Sequence, residues 1–506
     1  MIVLFWGLIL RVPGVFWGYS VFDGDAEFLH HDELKYARIV GQLRDGVETY
    51  AGYPAGLWNQ ILFLSRVITY FSTFWGVFGN TDFFSIYYVI LFGRMLSVLY
   101  GTLTIFLIYR ISLNVFRDTH LSLIASFFLA QSVLHVSDSH FSTADVSATF
   151  FMYLAVYFIL EFMDSQKSSA LFFSSFFTGF SFGMKFMYAP IVASLFLVSQ
   201  SKRKAIDLVL ITTAFFVGFF VVAGSSYSLN DFITFGSFAE AYLNPPNVQK
   251  SLLINPLLYG IILLVGVSLP VFILSCYSLL SAYKKRSNLQ ANKFFVLLLV
   301  FGLQFIMPNL VKITPPRFIL PLVPIVCMFG AFGFTKIGGR KLLLALIIIY
   351  QLFSVISVEY YYLNDPRENL GLWIGENLPQ GRFSGDVFTV LPKNISFKFA
   401  IGGGASPLNR SVLDETDYLI MNEPYYRRCL RNIYANPIRQ PNPQNTYHAQ
   451  PEVCEFIQKT FNGETGFYLV KKYEAKPFTL EMIAYKTFFG SYSIWVGDTK
   501  LFYKSR

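Results

Sequence analysis

Apolar segments of about 18 or more residues, long enough for a helix to cross a lipid bilayer, recur along this chain as far as Tyr350 and then stop. Only 14% of the 506 residues are charged, whereas an average globular chain carries roughly 25%. This composition excludes an ordinary soluble protein. We therefore predict an α-helical polytopic membrane domain over residues 1–358 and a soluble domain over residues 359–506.

The apolar segments predict about eleven transmembrane helices. The first begins at Ile2 and has no basic leading region and no small-residue cleavage site, so we expect a retained span rather than a signal peptide. The fifth and sixth are short and predict two broken helices around Gly183-Met184-Lys185. The predicted spans cover residues 2–17, 84–109, 121–136, 144–162, 171–183, 186–198, 205–224, 256–280, 294–310, 318–334 and 342–358.

Clusters of Lys and Arg all fall on one side of the membrane if these spans are right, and that side should be the cytosol. The N-terminus is then cytoplasmic. The loops 18–83, 137–143 and 225–255 share the outer face with the soluble domain. These loop cations also account for the net charge of +9, so the charge does not indicate nucleic acid as a partner. The clusters are Arg110, Arg117, Lys167, Lys202-Arg203-Lys204, Lys284-Lys285-Arg286, Lys336 and Arg340-Lys341.

Residues 57–78 are apolar enough to form a twelfth span, which would move the preceding loop to the opposite face. Asn59, Gln60 and Arg66 interrupt the segment, and Pro54 breaks the chain just before it. We therefore expect a helix that lies in the membrane interface within the first outer loop, residues 18–83.

An acidic pair, Asp32-Glu33, opens a short predicted helix in the first outer loop. An apolar stripe at helical spacing follows the pair, and Gly46 ends it. One interpretation makes Asp32 an N-cap and Glu33 a first-turn acid favoured by the helix dipole. The other makes one carboxylate a general base and the other its support. The two interpretations are compatible, because a capping residue is rigidly placed.

The second outer loop carries Asp138, His140 and Asp145 between two spans. Asp-x-His is a weak metal signal, and a capped helix start at Thr143 or Asp145 is the alternative. We expect no required metal ion, with a divalent ion held by Asp138 and His140 as the alternative. Together with the first-loop acids on the same face, these residues predict a joint acidic site.

Four cations depart from the positive-inside pattern. Lys185, Lys312 and Arg317 lie at the outer ends of spans, and Arg94 falls inside one. Intramembrane cations are candidates for function, although Arg94 fits a structural ion pair equally well. Lys312 and Arg317 flank a Pro-Pro turn and suit an anionic headgroup. Outer-face acids beside outer-face cations suit group transfer from a lipid phosphate, because an acid can deprotonate an acceptor hydroxyl while cations stabilise the departing phosphate.

The soluble tail has the mixed polarity of a small α/β domain, with a helix at 369–377 and strands at 387–391, 418–421, 467–470 and 493–496. Cys429 and Cys454 lie in this tail. A disulfide between them is expected if the tail is extracytoplasmic. Cys276 and Cys327 fall in apolar spans, where we expect inert packing residues.

A series of short motifs is spread over the whole chain in a fixed order. The motifs are Arg11, Asp32-Glu33 with Tyr36-Ala37-Arg38, Tyr53-Pro54, Ser139-His140-Phe141 with Asp145, Gly183-Met184-Lys185, Arg317-Phe318 with Pro321 and Pro324, Trp373-Ile374 and Asn377-Leu378-Pro379. In these motifs the chain resembles the GT-C superfamily of membrane glycosyltransferases, in the branch of the protein O-mannosyltransferases and the lipid A aminoarabinose transferases.

The resemblance implies an inverting glycosyltransferase of a prokaryotic plasma membrane, active on the outer face without a required cofactor. Its partners would be a polyprenyl-phosphate sugar donor and a hydroxyl acceptor on a glycan, lipid or protein. The catalytic base carries over to Asp32 with Glu33 beside it, and the donor-phosphate contact to Arg317 and, more loosely, Lys185. We add Lys312 and Arg94 as candidate phosphate contacts.

Two departures from the family pattern limit the acceptor. The chain shows no β-trefoil insertion, which puts a protein acceptor in doubt, and no Trp-Trp-Asp motif, so transfer of a whole glycan to asparagine is not expected. Two other functions remain as alternatives. One is an oligosaccharide ligase or polymerase with a pyrophosphate-linked donor. The other is a lipid-sugar transporter, which would favour ionisable residues at mid-membrane and an internal repeat.

Overall fold

The computed structural model describes residues 1–18, 31–46, 55–78, 81–186, 204–224, 254–284, 290–310, 315–338, 340–392, 394–402, 408–430, 451–489 and 497–505. Apolar helices make up the described part of residues 1–363, with two 3-10 turns at Pro13–Phe16 and Pro316–Leu322. The α-helices are α1 (Ile2–Ile9), α2 (His31–Arg44), α3 (Gly56–Trp75), α4 (Ile86–Phe116), α5 (Thr119–Ala130), α6 (Val133–Asp138), α7 (Ala144–Ser165), α8 (Ser168–Met184), α9 (Lys204–Ala223), α10 (Ile254–Val267), α11 (Leu269–Lys284), α12 (Gln290–Leu310), α13 (Val323–Lys336) and α14 (Lys341–Leu363).

Six stretches of the described chain are long and apolar enough to cross a membrane, and a seventh is added if a bent helix pair counts as one span. The six are Ile86–Phe116, Ala144–Ser165, Ala205–Ala223, Lys293–Leu310, Pro316–Lys336 and Lys341–Asn377. The polytopic helical class is confirmed, and the number of about eleven stays a prediction. The helix predicted at 186–198 lies almost wholly outside the described residues.

The span predicted at 256–280 is not one continuous helix. Helices α10 and α11 meet at a bend of 118°. Ser268, between them, adopts a left-handed conformation with φ of +77°. Pro270 follows in the first turn of α11, where its missing N–H and fixed φ are tolerated because no helical hydrogen bond is needed there. The apolar run is therefore a broken pair.

Helix α3 covers the segment predicted to lie in the interface. It is not among the six candidate spans, and its far end exposes a group of large aromatic side chains. The interfacial placement stays a prediction. The exposed aromatics are Tyr70, Phe71, Phe74 and Trp75.

The far ends of α4 and α7 meet the start of α12 in one polar cluster. Lys293 Nζ lies 2.5 Å from an oxygen of Asp164 and donates to Asn114 Oδ1 at 2.7 Å, and Arg117 lies 3.5 Å from Asp164. Arg94 and Arg117 are separated by 23 positions of α4, or about 35 Å along the helix axis. Arg117 therefore marks the end of the bundle opposite to Arg94.

The C-terminal domain is a mixed five-stranded sheet with helices, which confirms the α/β prediction. Its helices are α15 (Pro366–Asn377), α16 (Arg410–Glu415), α17 (Glu423–Leu430), α18 (Pro451–Phe461) and α19 (Leu480–Phe489). Its strands are β1 (Phe383–Asp386), β2 (Phe397–Ile401), β3 (Tyr418–Asn422), β4 (Phe467–Tyr473) and β5 (Thr499–Lys504), in the order β2-β1-β3-β5-β4. Strand β1 is parallel to β2 and β3, and β5 is antiparallel to β3 and β4.

The local predictions for this domain have mixed outcomes. The helix predicted at 369–377 is confirmed and begins earlier, because Asp365 caps it by accepting from the Arg367 N–H. The strands at 418–421 and 467–470 are confirmed as β3 and β4. The strand at 387–391 is wrong: β1 ends at Asp386, whose side chain accepts from the Phe388 N–H in a turn. The strand at 493–496 lies outside the described residues.

Three of the four cysteines agree with the sequence predictions of a disulfide in the tail and packing residues in the spans. Cys429 and Cys454 form a disulfide that joins α17 to α18. Cys327 is buried, as expected of a packing residue. The same expectation is wrong for Cys276, which is exposed on α11 because the side chain falls on an outward face of that helix.

Candidate functional site

A buried ion pair connects the first outer loop to helix α4. Helix α2 begins at His31, so Asp32 and Glu33 both lie in its first turn. Arg94 of α4 donates to both carboxylate oxygens of Glu33, at 2.9 Å and 2.7 Å, and the Ser142 N–H donates to Glu33 at 2.7 Å. Neither ionic side chain is more than 1% exposed. This bidentate pair fixes the start of α2 against α4 and the second outer loop.

The remaining donors of Arg94 are also used. Its Nη1 donates to the carbonyls of Val15 and Trp17, at 2.9 Å and 2.6 Å. Arg94 therefore fits the structural ion pair, which the sequence left open as the alternative, better than the predicted donor-phosphate contact. For the same reason Glu33 fits the supporting role better than that of the general base.

Trp17 carries the same network into the start of the C-terminal domain. Its indole N–H donates to Asp365 at 3.0 Å, and Asp365 accepts two further hydrogen bonds from the Arg367 side chain besides the one from its backbone N–H. The guanidinium groups of Arg94 and Arg367 lie 5.8 Å and 5.5 Å from the Trp17 ring. The first outer loop, α4 and the base of α15 are thus one continuous buried unit. No pattern in the sequence indicated Trp17, Asp365 or Arg367 as members of it.

Two of the predicted site cations, Lys185 and Arg317, lie against the predicted site acid Asp145. This residue lies in the first turn of α7, where the helix dipole favours a carboxylate, and it is almost fully buried. Lys185, directly after α8, is ion-paired with it. Arg317, in the turn that precedes α13, places Nε 4.0 Å from the second carboxylate oxygen. Lys185 also lies 4.8 Å from the ring centroid of Phe318. Both cations keep about a fifth of their side chains exposed or less, so they line a site that solvent still reaches.

Asp138, at the end of α6, belongs to the same electrostatic group. It is buried, and its Oδ2 has no hydrogen-bond partner within the described part of the chain. Burial and the negative charge of Asp145 raise the pKa of Asp138 to about 8, while Arg317 and Lys185 act in the opposite direction. The group therefore places two carboxylates beside two cations at one end of the bundle. We call these four residues the Asp145 cluster: Asp138, Asp145, Lys185 and Arg317.

His140, the remaining residue of the second loop, faces a different neighbour. Its Nε2 lies 3.1 Å from Glu359 of α14, and its ring packs edge-on against Tyr362. The ring also rests on Gly14, where a Cβ atom would come within 2.2 Å of it. Sequence reasoning missed Glu359, because it lies at the end of an apolar span and more than 200 positions from its partner.

The outcome for the other predicted site residues is incomplete. Lys312 lies outside the described residues, and so does the side chain of Asp32. Within the described part of the chain, no group of three or more His, Cys, Asp or Glu residues is placed to hold a metal ion. The divalent ion at Asp138 and His140 stays an alternative.

Residues 74–227 match the sequence model of the family described as dolichyl-phosphate-mannose-protein mannosyltransferase. This segment contains α4 to α9 and three members of the Asp145 cluster: Asp138, Asp145 and Lys185. No curated protein sequence matches the chain significantly.

Three solved structures resemble the fold. ArnT from Cupriavidus metallidurans, bound to undecaprenyl phosphate, has 13% sequence identity and a TM-score of 0.49, over 85% of this chain and 94% of that one. The oligosaccharyltransferase of Archaeoglobus fulgidus in complex with Zn and sulfate has 14% identity and a TM-score of 0.48, over 94% and 71%. The oligosaccharyltransferase AglB from Archaeoglobus fulgidus, in complex with an inhibitory peptide and a dolichol-phosphate, has 13% identity and a TM-score of 0.47, over 94% and 73%.

The helices define the class as a multi-pass membrane protein with a C-terminal α/β domain. The match over residues 74–227 confirms the resemblance to the GT-C membrane glycosyltransferases that the motifs indicated. This resemblance rests on the family match over residues 74–227 and on the sequence motifs.

Proposed function

We propose that this protein is an inverting glycosyltransferase that moves a sugar from a polyprenyl-phosphate donor to a hydroxyl group of a glycan, lipid or protein acceptor. The reaction would take place at the outer face of a prokaryotic plasma membrane. The disulfide between Cys429 and Cys454 supports an extracytoplasmic C-terminal domain, because disulfides persist in oxidising compartments.

One observation carries the proposal: two partly exposed cations, Lys185 and Arg317, lie on either side of one carboxylate at the end of a membrane bundle. Two cations that both face a solvent-accessible site suit a phosphate diester bound at the membrane surface. The donor carries one negative charge on its phosphate, and the departing polyprenyl phosphate carries about one more. Cations fixed in advance stabilise that added charge most as it forms, which lowers the barrier.

The proposed reaction is a single displacement. The acceptor oxygen forms a bond to the anomeric carbon as the bond from that carbon to the phosphate oxygen breaks, with inversion of configuration. Asp32 takes the hydroxyl proton as general base. Glu33 does not act on the substrate: its pair with Arg94 holds the first turn of α2, and thereby Asp32, in place. Lys185 and Arg317 hold the donor phosphate, with Lys312 as a further candidate. No cofactor is required.

The test is turnover by the purified full-length protein in lipid vesicles, supplied with a panel of polyprenyl-monophosphate sugars and a panel of hydroxyl acceptors. The readout is the release of polyprenyl phosphate. We expect release with one donor and its loss, by 100-fold or more, in Asp32→Asn. Asp45→Asn is the matched control, since Asp45 lies just after the same helix and is exposed.

Three results would overturn parts of the proposal. Turnover of a pyrophosphate-linked donor in place of the monophosphate would favour the oligosaccharide ligase or polymerase. Transbilayer movement of the donor without release of polyprenyl phosphate would favour the transporter. Full turnover in Asp32→Asn would remove Asp32 as the base and leave Asp138 as the next acid to replace, since its Oδ2 has no hydrogen-bond partner among the residues that the structure describes.

A further inference from the structure

A segment of the C-terminal domain leaves the sheet region and follows the last membrane helix, α14, toward its N-terminus. Four hydrogen bonds join residues 476–481 to α14. The α14 residues are spaced by three or four positions, so the segment runs along one face of the helix for three turns. From the sheet inwards, the pairs are the Lys476 N–H to Tyr361 Oη at 2.6 Å, the Phe478 N–H to Ser357 Oγ at 3.1 Å, Ser354 Oγ to Thr479 Oγ1 at 3.4 Å, and the Tyr350 hydroxyl to the Glu481 carboxylate.

The depth of this descent follows from helix geometry. Tyr361 and Tyr350 are 11 positions apart, which is about 16 Å along α14. Helix α14 has 23 residues, or about 35 Å, and the hydrocarbon core of a bilayer is about 30 Å thick. The innermost contact, at Glu481, therefore lies near the middle of the span.

The chain then returns through α19. Lys486, one turn and a half after Glu481, donates to Asp498 at 2.5 Å and also to the carbonyl of Ala475. Its ammonium group thus joins the descending and returning limbs at the level of the sheet. Tyr485 packs against the apolar core of the membrane domain. Residues 475–489 form a closed hairpin, which we call the 475–489 hairpin.

The tip of this hairpin is apolar and uncovered. Leu480 is 74% exposed, and Phe478 and Ile483 are 46% and 45% exposed. The side chains of α14 at the same depth are exposed too, with Phe353 at 56% and Ile356 at 42%. These α14 positions belong to an exposed apolar stripe that runs the whole length of a membrane span, from Leu342 to Leu363. The exposed apolar tip of the hairpin lies beside this stripe and enlarges the exposed apolar surface.

We propose that the 475–489 hairpin is a re-entrant element immersed in the membrane leaflet that faces the C-terminal domain, with Phe478, Leu480 and Ile483 in contact with lipid acyl chains. The continuity of its exposed tip with the lipid-facing stripe of α14 identifies lipid as the occupant. The Glu481 carboxyl, the acid at that depth, is buried against the protein rather than exposed to lipid: its Oε2 accepts from the Tyr350 hydroxyl, and its Oε1 has no hydrogen-bond partner among the described residues. The hairpin anchors the C-terminal domain close to the bilayer, independently of any catalytic activity.

The experiment places a nitroxide label on Leu480→Cys or Ile483→Cys in the full-length protein, in phosphatidylcholine vesicles. Cys276 is replaced by serine first, because it is the exposed free cysteine of the described chain. Collision of each label with oxygen, which concentrates in lipid, is compared with collision with a water-soluble nickel chelate. Leu346→Cys on the stripe of α14 is the control for lipid, and Lys472→Cys on strand β4 is the control for water.

We expect labels at Leu480 and Ile483 to collide with oxygen as the Leu346 label does, and with the nickel chelate at least five times less than the Lys472 label does. Nickel collision equal to that of Lys472 would place the hairpin in water and overturn the proposal. Exclusion of both reagents, together with dipolar broadening between labels on two copies, would assign the tip to a second copy of this chain and would also overturn it.

Discussion

Removal of Arg94 tests whether the first outer loop is held by a buried ion pair. Arg94→Met leaves the Glu33 carboxylate buried with the Ser142 N–H, and it removes the donors to the carbonyls of Val15 and Trp17. Loss of one partner of a buried pair costs about 3–5 kcal/mol, because the other charge stays desolvated. We expect a loss of stability of that size.

A second variant separates the cost of the orphaned charge from simple loss of packing. Glu33→Gln alone removes the carboxylate that Arg94 binds through two hydrogen bonds and is also expected to cost about 3–5 kcal/mol. The combination Glu33→Gln with Arg94→Met buries no charge, and the amide oxygen still accepts from Ser142. The double variant should therefore be more stable than the sum of the two single changes by at least about 2 kcal/mol.

The assay is equilibrium unfolding of the full-length protein in mixed micelles, titrated with sodium dodecyl sulfate and followed by circular dichroism. Thermal inactivation of each variant provides a second measure. Losses below about 1 kcal/mol in both single variants, which is typical of exposed pairs, would refute the reasoning. Additive losses in the double variant would show that Glu33 and Arg94 are not coupled.

Three further changes have defined outcomes. The disulfide between Cys429 and Cys454 closes a loop of about 25 residues, so its removal should lower the free energy of unfolding by about 3–4 kcal/mol. The measurement is the unfolding midpoint of the variant with both cysteines replaced by serine, and the reduced wild type is the control. Burial raises the pKa of Asp386 to about 6, so the folded protein binds more protons than the unfolded chain between about pH 4 and 6. The free energy of unfolding should therefore fall as pH rises through that range. Asp386→Asn should flatten this dependence of the unfolding free energy on pH. Gly93→Ala places a Cβ atom 1.8 Å from the Ser142 hydroxyl oxygen, so the variant should have a lower unfolding midpoint. In a Ser142→Gly background, which removes that hydroxyl, the same change should lower the midpoint less.

The sequence predicts the outline of the fold where physical signals are local. Apolar length indicates membrane helices such as α4 and α7, and helical periodicity indicates α2. The bend at Ser268 was missed because the apolar run is continuous across it, and hydropathy contains no information on a single backbone dihedral. Strand β1 was placed too late for a similar reason: residues 387–391 have strand composition, but the Asp386 side chain ends the strand before them.

The sequence identified which charged residues belong to the candidate site better than it identified which of them form ion pairs. Charge at the outer ends of spans identified Asp145, Lys185 and Arg317, which the structure brings together. Which acid pairs with which cation depends on how the helices approach one another, so the pairing of Glu33 with Arg94, 61 positions apart, stayed one of two alternatives. The position of Arg94 inside a predicted span was the sequence feature that indicated an ion pair.

Binding of the lipid product tests the central claim most directly. The claim is that Lys185 and Arg317 hold the phosphate of a polyprenyl carrier. Affinity for polyprenyl phosphate, and for the uncharged polyprenol of equal length, is measured on the full-length protein and on Lys185→Met, Arg317→Met and Arg110→Met. Arg110 is the matched control, because it is an exposed cation of α4 that contacts Tyr157, near the opposite end of the bundle.

We predict that the wild type binds the phosphate at least tenfold more tightly than the polyprenol, about 1.4 kcal/mol or more. Lys185→Met and Arg317→Met should each abolish this preference, and Arg110→Met should retain it. Equal preference for the phosphate in all four proteins would contradict the account.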